Sequence, residues 1–334
     1  MLEIVKPGLE TSVQELPGRI GYWEQGFPPS GPVDAWSFRL ANLLVGNHRD
    51  MAALEWQFIG PTVRFLEDAV IALTGAEHVA QLDGVLVPCW QTVRVQKGQV
   101  LNCGAAKKGA RGYIAIAGGI NTQPVLGSRA TFHMASIGGT GNGALKTGDC
   151  LPLGKVADDV AALSAPLEVR PVIDPALRVS GEDRAIPVMA GPNDHWLDAN
   201  GIDVFTNSEW NVLPQSNRTG MRLKGPELTF SSAASDKPPE HGTHPSNILD
   251  HGYPLGGISI AGQTPIIFIN DSPSAGGFMV PFTVPSAAIW RLGQLRPGEK
   301  IRFRLISREE ADLLRKKIDA LCHSGCLATL PSAN

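Results

Sequence analysis

Glycine and proline interrupt this sequence so often that long regular helices are excluded over most of its length. The 334 residues include 37 glycines and 26 prolines, close to one residue in five, whereas average proteins use roughly one in eight. Short apolar runs lie between these residues, for example 69–73, 112–116 and 265–269. Such runs, bounded by turn residues, are typical of β-strands, and the last one, apolar on both faces, is typical of a central buried strand. The sequence therefore predicts a mainly β protein with few helices.

Two segments have a helical pattern instead. Asp34 can cap a helix over residues 35–44, and Gly46 lies just past its end. The large apolar side chains of this segment share one face, so we expect it to pack on a sheet. A second helix is predicted over residues 309–321, near the end of the sequence.

The length of the chain corresponds to two domains at about 150 residues each. A basic residue followed by a Gly turn and a strand-like run occurs three times, at Gly98, Gly148 and Gly298, which hints at a β-barrel unit used at least twice. A weakly patterned stretch followed by several prolines is the best candidate for a linker. We predict an N-terminal β-barrel-like domain over residues 1–155, a linker region over 156–185, a C-terminal β-barrel-like domain over 186–306, and a C-terminal helix and tail over 307–334.

The charge balance argues against polyanionic partners. The chain has 29 Lys and Arg against 32 Asp and Glu, a formal net charge of -3, so no overall positive field favours nucleic acid or an acidic membrane surface. No apolar run reaches the roughly 18 residues that a membrane helix needs, and the first residues do not form a signal-peptide pattern. With five cysteines, we expect free thiols and a cytoplasmic protein.

Common cofactor and catalytic motifs do not fit. The glycines of residues 138–143 stand in the wrong register for a phosphate-binding loop, and no G-x-S-x-G nucleophile elbow occurs. Neither the pair of His241 and His244 nor the pair of Cys322 and Cys326 supplies the three or four converging ligands that zinc needs. We therefore expect no metal site.

Three polar clusters are candidates for a functional site. In the first, over residues 28–34, proline and glycine fix the backbone, and we expect Ser30 and Asp34 to be exposed. A binding role and a purely structural role, as a rigid loop with a helix cap, are equally open for these two residues.

The other two clusters lie in the C-terminal half. Residues 214–220 are dense in hydrogen-bonding side chains, and Arg218 could hold a carboxylate through two hydrogen bonds. The third cluster combines residues 244–250 with residues 270–278, which follow the predicted buried strand. Polar loops at strand ends are where sites are usually built, and the glycines of the last segment permit close approach of the backbone to a ligand.

Together, these clusters and the segments around them resemble one known family. It is the biotin-dependent carboxyltransferase family, also called the allophanate hydrolase subunit 2 family, and the resemblance runs from about residue 3 to residue 304. The matching segments, in order, are Gly21-Tyr22-Trp23, Pro28 to Asp34, Arg39 to Asn47, Ala53-Leu54-Glu55, Leu73 to Ala76, Ala117 to Ile120, Leu126 to Thr131, Ser216 to Leu223, Pro245-Ser246-Asn247 and Leu292 to Gly298.

Within the family, three segments look most like the carboxyltransferase half of urea carboxylase, also known as urea amidolyase. They are residues 216–220, 245–250 and 272–278. The C subunit of 5-oxoprolinase is also related, although it resembles this chain less in the last segment. The resemblance implies a cyclophilin-like β-barrel architecture, with two β-barrel domains and few helices.

The resemblance also implies a function and partners. The chain would be one subunit of a heteromeric carboxyltransferase that moves a carboxyl group from carboxybiotin to a nitrogen of urea or a related amide or guanidine-like molecule. Biotin would be attached to a separate carrier, and the other partners would be a biotin carboxylase and a subunit-1-like protein of the allophanate hydrolase subunit 1 family. Two alternatives are the C subunit of an ATP-dependent, ring-opening 5-oxoprolinase, and a non-catalytic regulatory partner of a subunit-1-like protein.

Three residues are the candidate catalytic groups. Asp250 and Asp271 would bind the acceptor amine or remove its proton, whereas Arg218, with Asn217, would orient the carboxyl group and stabilise developing negative charge. Loop capping is an equally open role for each aspartate. The residues expected to bind substrate are Ser30, Asp34, Asn217, Ser246, Asn247, Ser274, Gly276 and Gly277.

Overall fold

The computed structural model describes residues 1–156, 167–169 and 185–330. Most of the predicted linker, residues 156–185, lies outside these described residues. The predicted domain boundaries therefore stay a prediction.

The chain divides into two units, each with its own core. Unit 1 comprises Met1–Ile20, Pro29–Ile173 and Ile318–Asn334, and unit 2 comprises Gly21–Pro28 and Asp174–Lys317.

Strands dominate the described residues, so the mainly β prediction is confirmed. The strands are β1 (Leu2–Lys6), β2 (Ser12–Gln14), β3 (Ala53–Gln57), β4 (Thr62–Phe65), β5 (Ala69–His78), β6 (Ala80–Leu82), β7 (Val85–Val87), β8 (Thr92–Val95), β9 (Val100–Asn102), β10 (Ala106–Ile116), β11 (Cys150–Leu151), β12 (Leu167–Val169), β13 (Ala185–Ala190), β14 (Trp210–Val212), β15 (Gly220–Lys224), β16 (Asn247–Gly252), β17 (Gly257–Ala261), β18 (Thr264–Phe268), β19 (Ala275–Phe278), β20 (Phe282–Thr283), β21 (Lys300–Leu305) and β22 (Leu327–Thr329). The α-helices are α1 (Ala35–Leu44), α2 (Ala199–Asn207), α3 (Ser232–Ser235), α4 (Ile289–Leu292) and α5 (Arg308–Asp319). None of the helices in the described ranges is long and apolar enough to cross a membrane.

Unit 1 builds its core from two antiparallel sheets. One has six strands in the order β11-β1-β4-β9-β6-β7, and the other has five in the order β2-β3-β10-β5-β8. Side chains such as Leu54, Trp56 and Ile114 are fully buried in one cluster with residues of the six-stranded sheet. A short ladder between β12 and β22 belongs to the same unit.

Helix α1 lies on the five-stranded sheet of unit 1, where it packs against β5 and β10. Its bounds match the predicted helix over residues 35–44, and Asp34 caps it as predicted, because the Asp34 side chain accepts the N–H of Ser37. Phe38 and Leu44 bury one face of the helix against a cluster that includes Tyr113 of β10. The predicted helix and its packing on a sheet are confirmed.

Unit 2 contains a closed barrel of seven strands in the order β13-β20-β17-β18-β15-β14-β21. The ladder between β13 and β21 is parallel, and the others are antiparallel. Strand β18 has a barrel strand on each side, which agrees with the central strand predicted over residues 265–269. Phe205 of α2 stacks on Phe282 and Phe303 at ring-centroid distances of 4.3 and 4.5 Å, and so helps to fill the barrel.

A two-stranded ribbon, formed by β16 and β19, extends from the loops of unit 2. Asn247 pairs with Phe278 and His251 pairs with Gly276, so residues 248–250 stand opposite Gly277 alone. Extra residues of this kind form a β-bulge, which bends the strand and redirects its side chains.

Candidate active site

A buried ion pair joins two loops at one end of the unit 2 barrel. Arg218 Nε donates to Asp271 Oδ2 at 3.0 Å, and Nη2 donates to Asp271 Oδ1 at 3.3 Å. Only 4% of Arg218 and 2% of Asp271 is exposed. Gly220 at the start of β15 pairs with Phe268 at the end of β18, so the loops over residues 214–219 and 269–274 leave the barrel at the same end. The two-pronged contact therefore holds these loops together.

The loop before β15 is shaped by its own polar side chains. Asn217 Oδ1 accepts the N–H groups of Thr219 and Gly220 at 2.9 and 3.3 Å, as in an Asx turn. Ser216 Oγ accepts the N–H of Arg222 at 3.1 Å. Asn217 is exposed, but its carboxamide oxygen is occupied by the turn.

The loop after β18 turns back on the same ion pair. Asp271 N–H donates to the carbonyl of Arg218 at 2.9 Å, and Ser272 N–H donates to the carbonyl of Ile269 at 2.9 Å. Ser272 Oγ is buried and has no hydrogen-bond partner among the described residues. Ser274 contributes its carbonyl, which accepts the N–H of Tyr253 at 2.8 Å.

The ribbon presents Asp250 on its bulge, where the residue is exposed. Opposite it, a Cβ placed on Gly277 would lie 3.0 Å from Asp250 Oδ1, and a Cβ on Gly276 would lie 2.6 Å from the Tyr253 hydroxyl. Side chains at these two positions would crowd the carboxylate and the ring. The two glycines therefore keep the ribbon close to both groups.

Tyr253 supports the ribbon from beneath. Its hydroxyl accepts the N–H of Phe278 at 2.9 Å, and its ring packs on Phe268 at 4.5 Å between centroids. Burial raises the pKa of Tyr253 above its ordinary value, and its hydrogen bonds with Phe278 and Ser259 oppose that shift.

A lysine fixes the segment that leads into the ribbon. Lys237 Nζ donates to the carbonyls of His244, Pro245 and Asn247 at 2.6, 3.4 and 2.5 Å. The ammonium also lies 5.3 Å from the centre of the Trp196 ring. Burial lowers the pKa of Lys237. We call residues 244–247, held in this way, the clamped loop.

Ser246 is a structural member of the clamped loop. It is fully buried, and its Oγ accepts the N–H of Gly262 at 3.0 Å and lies 2.9 Å from His244 Nδ1. Asn247, which follows it, is half-buried and begins β16.

Ser30 and Asp34 belong to unit 1, whereas the other predicted site residues belong to unit 2. The expectation that they are exposed is wrong, because only 3% of Ser30 and 0% of Asp34 is accessible. Asp34 accepts the Ser37 N–H at 2.9 Å and the Ser37 hydroxyl at 2.6 Å. The cap at the start of α1 draws its carboxylate inward, and a role in binding stays a prediction.

Unit 2 thus gathers nine of the predicted residues on the two barrel-end loops, the clamped loop and the ribbon. They are Asn217, Arg218, Ser246, Asn247, Asp250, Asp271, Ser274, Gly276 and Gly277. No group of three or more His, Cys, Asp or Glu side chains that could hold a metal occurs in the part of the chain that the structure describes. The arrangement offers an exposed carboxylate, accessible main chain at two glycines, and a rigid support.

Comparison with known proteins identifies the family of this chain. The family described as "Carboxyltransferase domain, subdomain A and B" matches residues 25–305. The chain belongs to this carboxyltransferase domain family. The resemblance inferred from the sequence is confirmed.

Relatives of this carboxyltransferase domain include proteins of two kinds. Urea amidolyase of Saccharomyces cerevisiae is 38% identical over 325 residues, which are 97% of this chain but only 18% of that protein. The C subunit of 5-oxoprolinase from Escherichia coli is 36% identical over 313 residues, 93% of each chain. Among solved structures, Kluyveromyces lactis urea carboxylase matches with a TM-score of 0.86 and 36% identity over 99% of this chain and 30% of that chain. The chain therefore spans less than a fifth of the urea amidolyase it matches.

Three residues of the carboxyltransferase domain were missed by reasoning from the sequence: Lys237, Tyr253 and Ser272. The composition of residues 231–240 indicates a surface loop, and Lys237 binds only main-chain carbonyls and a ring. Because its partners are uncharged, no acidic residue in the sequence identifies Lys237 as a paired cation. Ser272 lies within a recognised polar cluster, but its burial depends on how the loop folds back.

Proposed function

We propose that the chain is the carboxyltransferase subunit of a heteromeric, biotin-dependent enzyme. It would move a carboxyl group to a nitrogen of urea or of a related amide or guanidine-like molecule. Family membership and the names of the urea carboxylase relatives support this proposal. The observation that carries it is Asp250, an exposed carboxylate on a bulge whose facing strand has only glycine opposite it.

Asp250 is the group we assign to the acceptor. A nitrogen that gains a carboxyl group must lose a proton, and a carboxylate can accept hydrogen bonds from an amide or guanidine-like N–H and take up that proton. Because Asp250 is exposed, it can meet a small acceptor without rearrangement of the core. Gly277 leaves room beside the carboxylate.

Arg218 and Asp271 act in this proposal as a pair that positions the site. The carboxylate of Asp271 largely balances the guanidinium charge, because both of its oxygens accept from Arg218. Proton removal by Asp271, and orientation of the carboxyl group by Arg218, stay predictions. Their clear contribution is to hold the two barrel-end loops in register.

The part of the site that would hold the carboxyl donor fits a ligand rich in carbonyl and N–H groups. Ser272 Oγ is buried without a partner among the described residues, which suits an added acceptor or donor at that point. The main chain at Gly276 and Gly277 can approach a ligand closely. When bound on its separate carrier, carboxybiotin supplies the carboxyl group, and Ser272 with these glycines would hold it.

The proposal includes partners and a compartment. A biotin carrier, a biotin carboxylase and a subunit-1-like protein would complete the enzyme, as the resemblance implies. All five cysteines are free, which suits a reducing cytoplasm.

The proposal is tested in two steps. The chain is first co-purified with a subunit-1-like protein. The complex is then assayed for carboxyl transfer from carboxylated carrier to urea, guanidine and simple amides. In the active complex, we expect Asp250→Asn to lower kcat by about a hundredfold or more, because general-base catalysis contributes roughly that much. Asp312→Asn, at an exposed aspartate of α5, should leave the rate unchanged. Transfer to none of these acceptors by the wild-type complex, or full activity of Asp250→Asn, would contradict the proposal.

A second candidate is the C subunit of an ATP-dependent 5-oxoprolinase. It is favoured by the match to the Escherichia coli protein, which covers 93% of both chains. Ring opening of 5-oxoproline that requires ATP and this chain, with no dependence on a biotin carrier, would select this alternative. Binding of a subunit-1-like protein without either activity would indicate a regulatory partner.

A further inference from the structure

One outer face of the unit 2 barrel is strongly basic. Strands β14, β15 and β21 are neighbours, and their outward positions carry five cationic side chains. We call them the basic face: Arg222, Lys224, Lys300, Arg302 and Arg304.

Strand register places these cations side by side. Asn211 at the centre of β14 pairs with Lys224 on one side and with Lys300 on the other, and directly paired residues point to the same side of a sheet. Alternation along β21 adds Arg302 and Arg304 to that side, while Ile301 and Phe303 point into the barrel. The basic face is therefore a continuous surface across three strands.

The charge of this surface is opposite to that of the whole chain. Two carboxylates contact it, since Glu209 bridges Lys300 and Arg302 at 3.0 and 3.3 Å and Glu310 lies 3.3 Å from Arg304. Five cations against two carboxylates give a formal charge of +3, whereas the chain carries -3. The Lys300 and Arg302 side chains are each 61% exposed, so their field reaches the solvent.

The basic face is continuous with the candidate active site. Ser216, in the loop before β15, accepts the Arg222 N–H at 3.1 Å. Arg222 lies two residues along β15 from Gly220, where the barrel-end loop joins the strand, a separation of about 7 Å. A protein seated on this face would lie beside the barrel-end loops.

We propose that the basic face is the docking surface for an acidic protein domain, the carrier that delivers carboxybiotin. This inference rests on the proposed function, which requires such a carrier to approach the site and leave again. Complementary charge accelerates encounter and orients partners without demanding tight binding. A carrier that must return to a carboxylase after each turnover needs that kind of contact.

A protein fits this surface better than a nucleic acid does. None of the outward residues of β14, β15 and β21 is aromatic, so there is no platform on which bases could stack. A duplex has one charge per roughly 1.7 Å, and it would extend past three strands onto the rest of a chain whose net charge is negative.

Charge reversal tests the inference. In the double variant Lys224→Glu with Lys300→Glu, we expect the Kd for the purified, biotinylated carrier domain of the same organism to rise at least tenfold at low salt. The difference should shrink at high salt, because exposed charges are screened. The matched control is Lys316→Glu with Lys317→Glu, two exposed lysines of α5, which makes the same charge change and should alter the Kd less than twofold.

An assay with free carboxybiotin distinguishes failure of this inference from failure of the proposed function. With free carboxybiotin as donor, the assembled complex should transfer the carboxyl group equally well in wild type and in the double variant. Failure of wild type with both free and carrier-bound donor would count against the proposed function itself. Wild-type activity with an unchanged carrier Kd in the double variant would overturn only the docking surface. Tighter binding of a 20-base-pair DNA duplex than of the carrier would overturn it in favour of nucleic acid.

Discussion

At the scale of single residues, the Arg218–Asp271 pair is the feature on which the site geometry depends most. Both side chains are almost fully buried, and two hydrogen bonds join them. Removing one member of such a pair leaves an uncompensated charge in a poorly solvated place, which costs far more than the pair itself contributes. The pair therefore specifies the loop arrangement more than it stabilises the fold.

A double-mutant cycle measures the coupling energy between Arg218 and Asp271. We expect Asp271→Leu or Arg218→Met alone to lower the free energy of unfolding by about 3–5 kcal/mol, with the combination of these two substitutions costing less than the sum. Urea denaturation gives the values. The less buried pair of Arg64 and Glu3, 2.9 Å apart with side chains 43% and 29% exposed, is the control, and its removal should cost under about 1 kcal/mol. Additive effects at the buried pair would contradict this account.

Tyr113 is the central residue of a buried polar network in unit 1. Its hydroxyl donates to Glu55 Oε2 at 2.7 Å and accepts the Asp34 N–H at 2.9 Å. Burial, followed by the nearby carboxylates of Glu55 and Asp34, raises the pKa of Tyr113 well above its ordinary value. The network ties the loop before α1 to strands β3 and β10.

This raised pKa predicts a stability loss at high pH. The unfolded state releases the tyrosine proton near pH 10 while the folded state retains it, so the free energy of unfolding should fall as the pH rises past about 10. At pH 8 the free energy of unfolding of Tyr113→Phe should be about 1–3 kcal/mol lower than that of wild type, because the partners of the hydroxyl are left unpaired. As the pH rises further, the free energy of unfolding of this variant should fall less steeply than that of wild type. Urea denaturation at pH 8 and above pH 10 gives both slopes, and equal slopes would show that Tyr113 is not the source.

At the scale of elements, the clamped loop and the ribbon behave as one assembly. Lys237 holds carbonyls just before β16 and at its first residue, and the carbonyl of Ser246 accepts the N–H of Met279 at 2.9 Å, just past β19. Both strands of the ribbon are thus tied to the same loop, at the end where Asn247 pairs with Phe278. The position of Asp250 on the bulge follows from these ties.

Replacement of Lys237 by methionine should loosen this assembly without touching Asp250. Three carbonyls would lose their shared donor, and we expect the amides of Gly262 and Met279, which donate to Ser246, to exchange with solvent at least tenfold faster. Hydrogen exchange followed by mass spectrometry or NMR gives the rates. Lys317→Met is the control at an exposed lysine. Unchanged exchange in Lys237→Met would show that the ammonium is not what holds the loop.

At the scale of the whole molecule, the described residues form two units with separate cores, and the predicted residues divide between them. Unit 2 holds the exposed carboxylate, the buried ion pair and the basic face, whereas the cluster at Ser30 and Asp34 lies in the interior of unit 1. Family segments recognised in the sequence thus serve different purposes. Those of unit 1 include the helix cap, and those of unit 2 supply the candidate active site.

Several features can be predicted from the sequence because their causes are local. The sequence predicts helix α1 at its observed bounds, since a cap, a periodic apolar face and a following glycine all lie within a dozen residues. The strand over residues 265–269 is predictable for the same reason. The order of polar clusters is enough to recognise the family, because residue types at fixed spacing can be identified in the sequence without knowing how the chain packs.

Other features were decided only by tertiary structure. Arg218 and Asp271 are 53 residues apart, and their pairing depends on β15 and β18 being neighbours in a closed barrel. The burial of Asp34, the role of Lys237 and the alignment of five cations on one face likewise depend on which segments meet. Composition and periodicity determined that this chain forms strands, turns and the helices α1 and α5, because those preferences act over a few residues. The barrel's strand order determined which polar groups are buried together and which face the solvent, because pairing across long stretches of chain sets burial and charge.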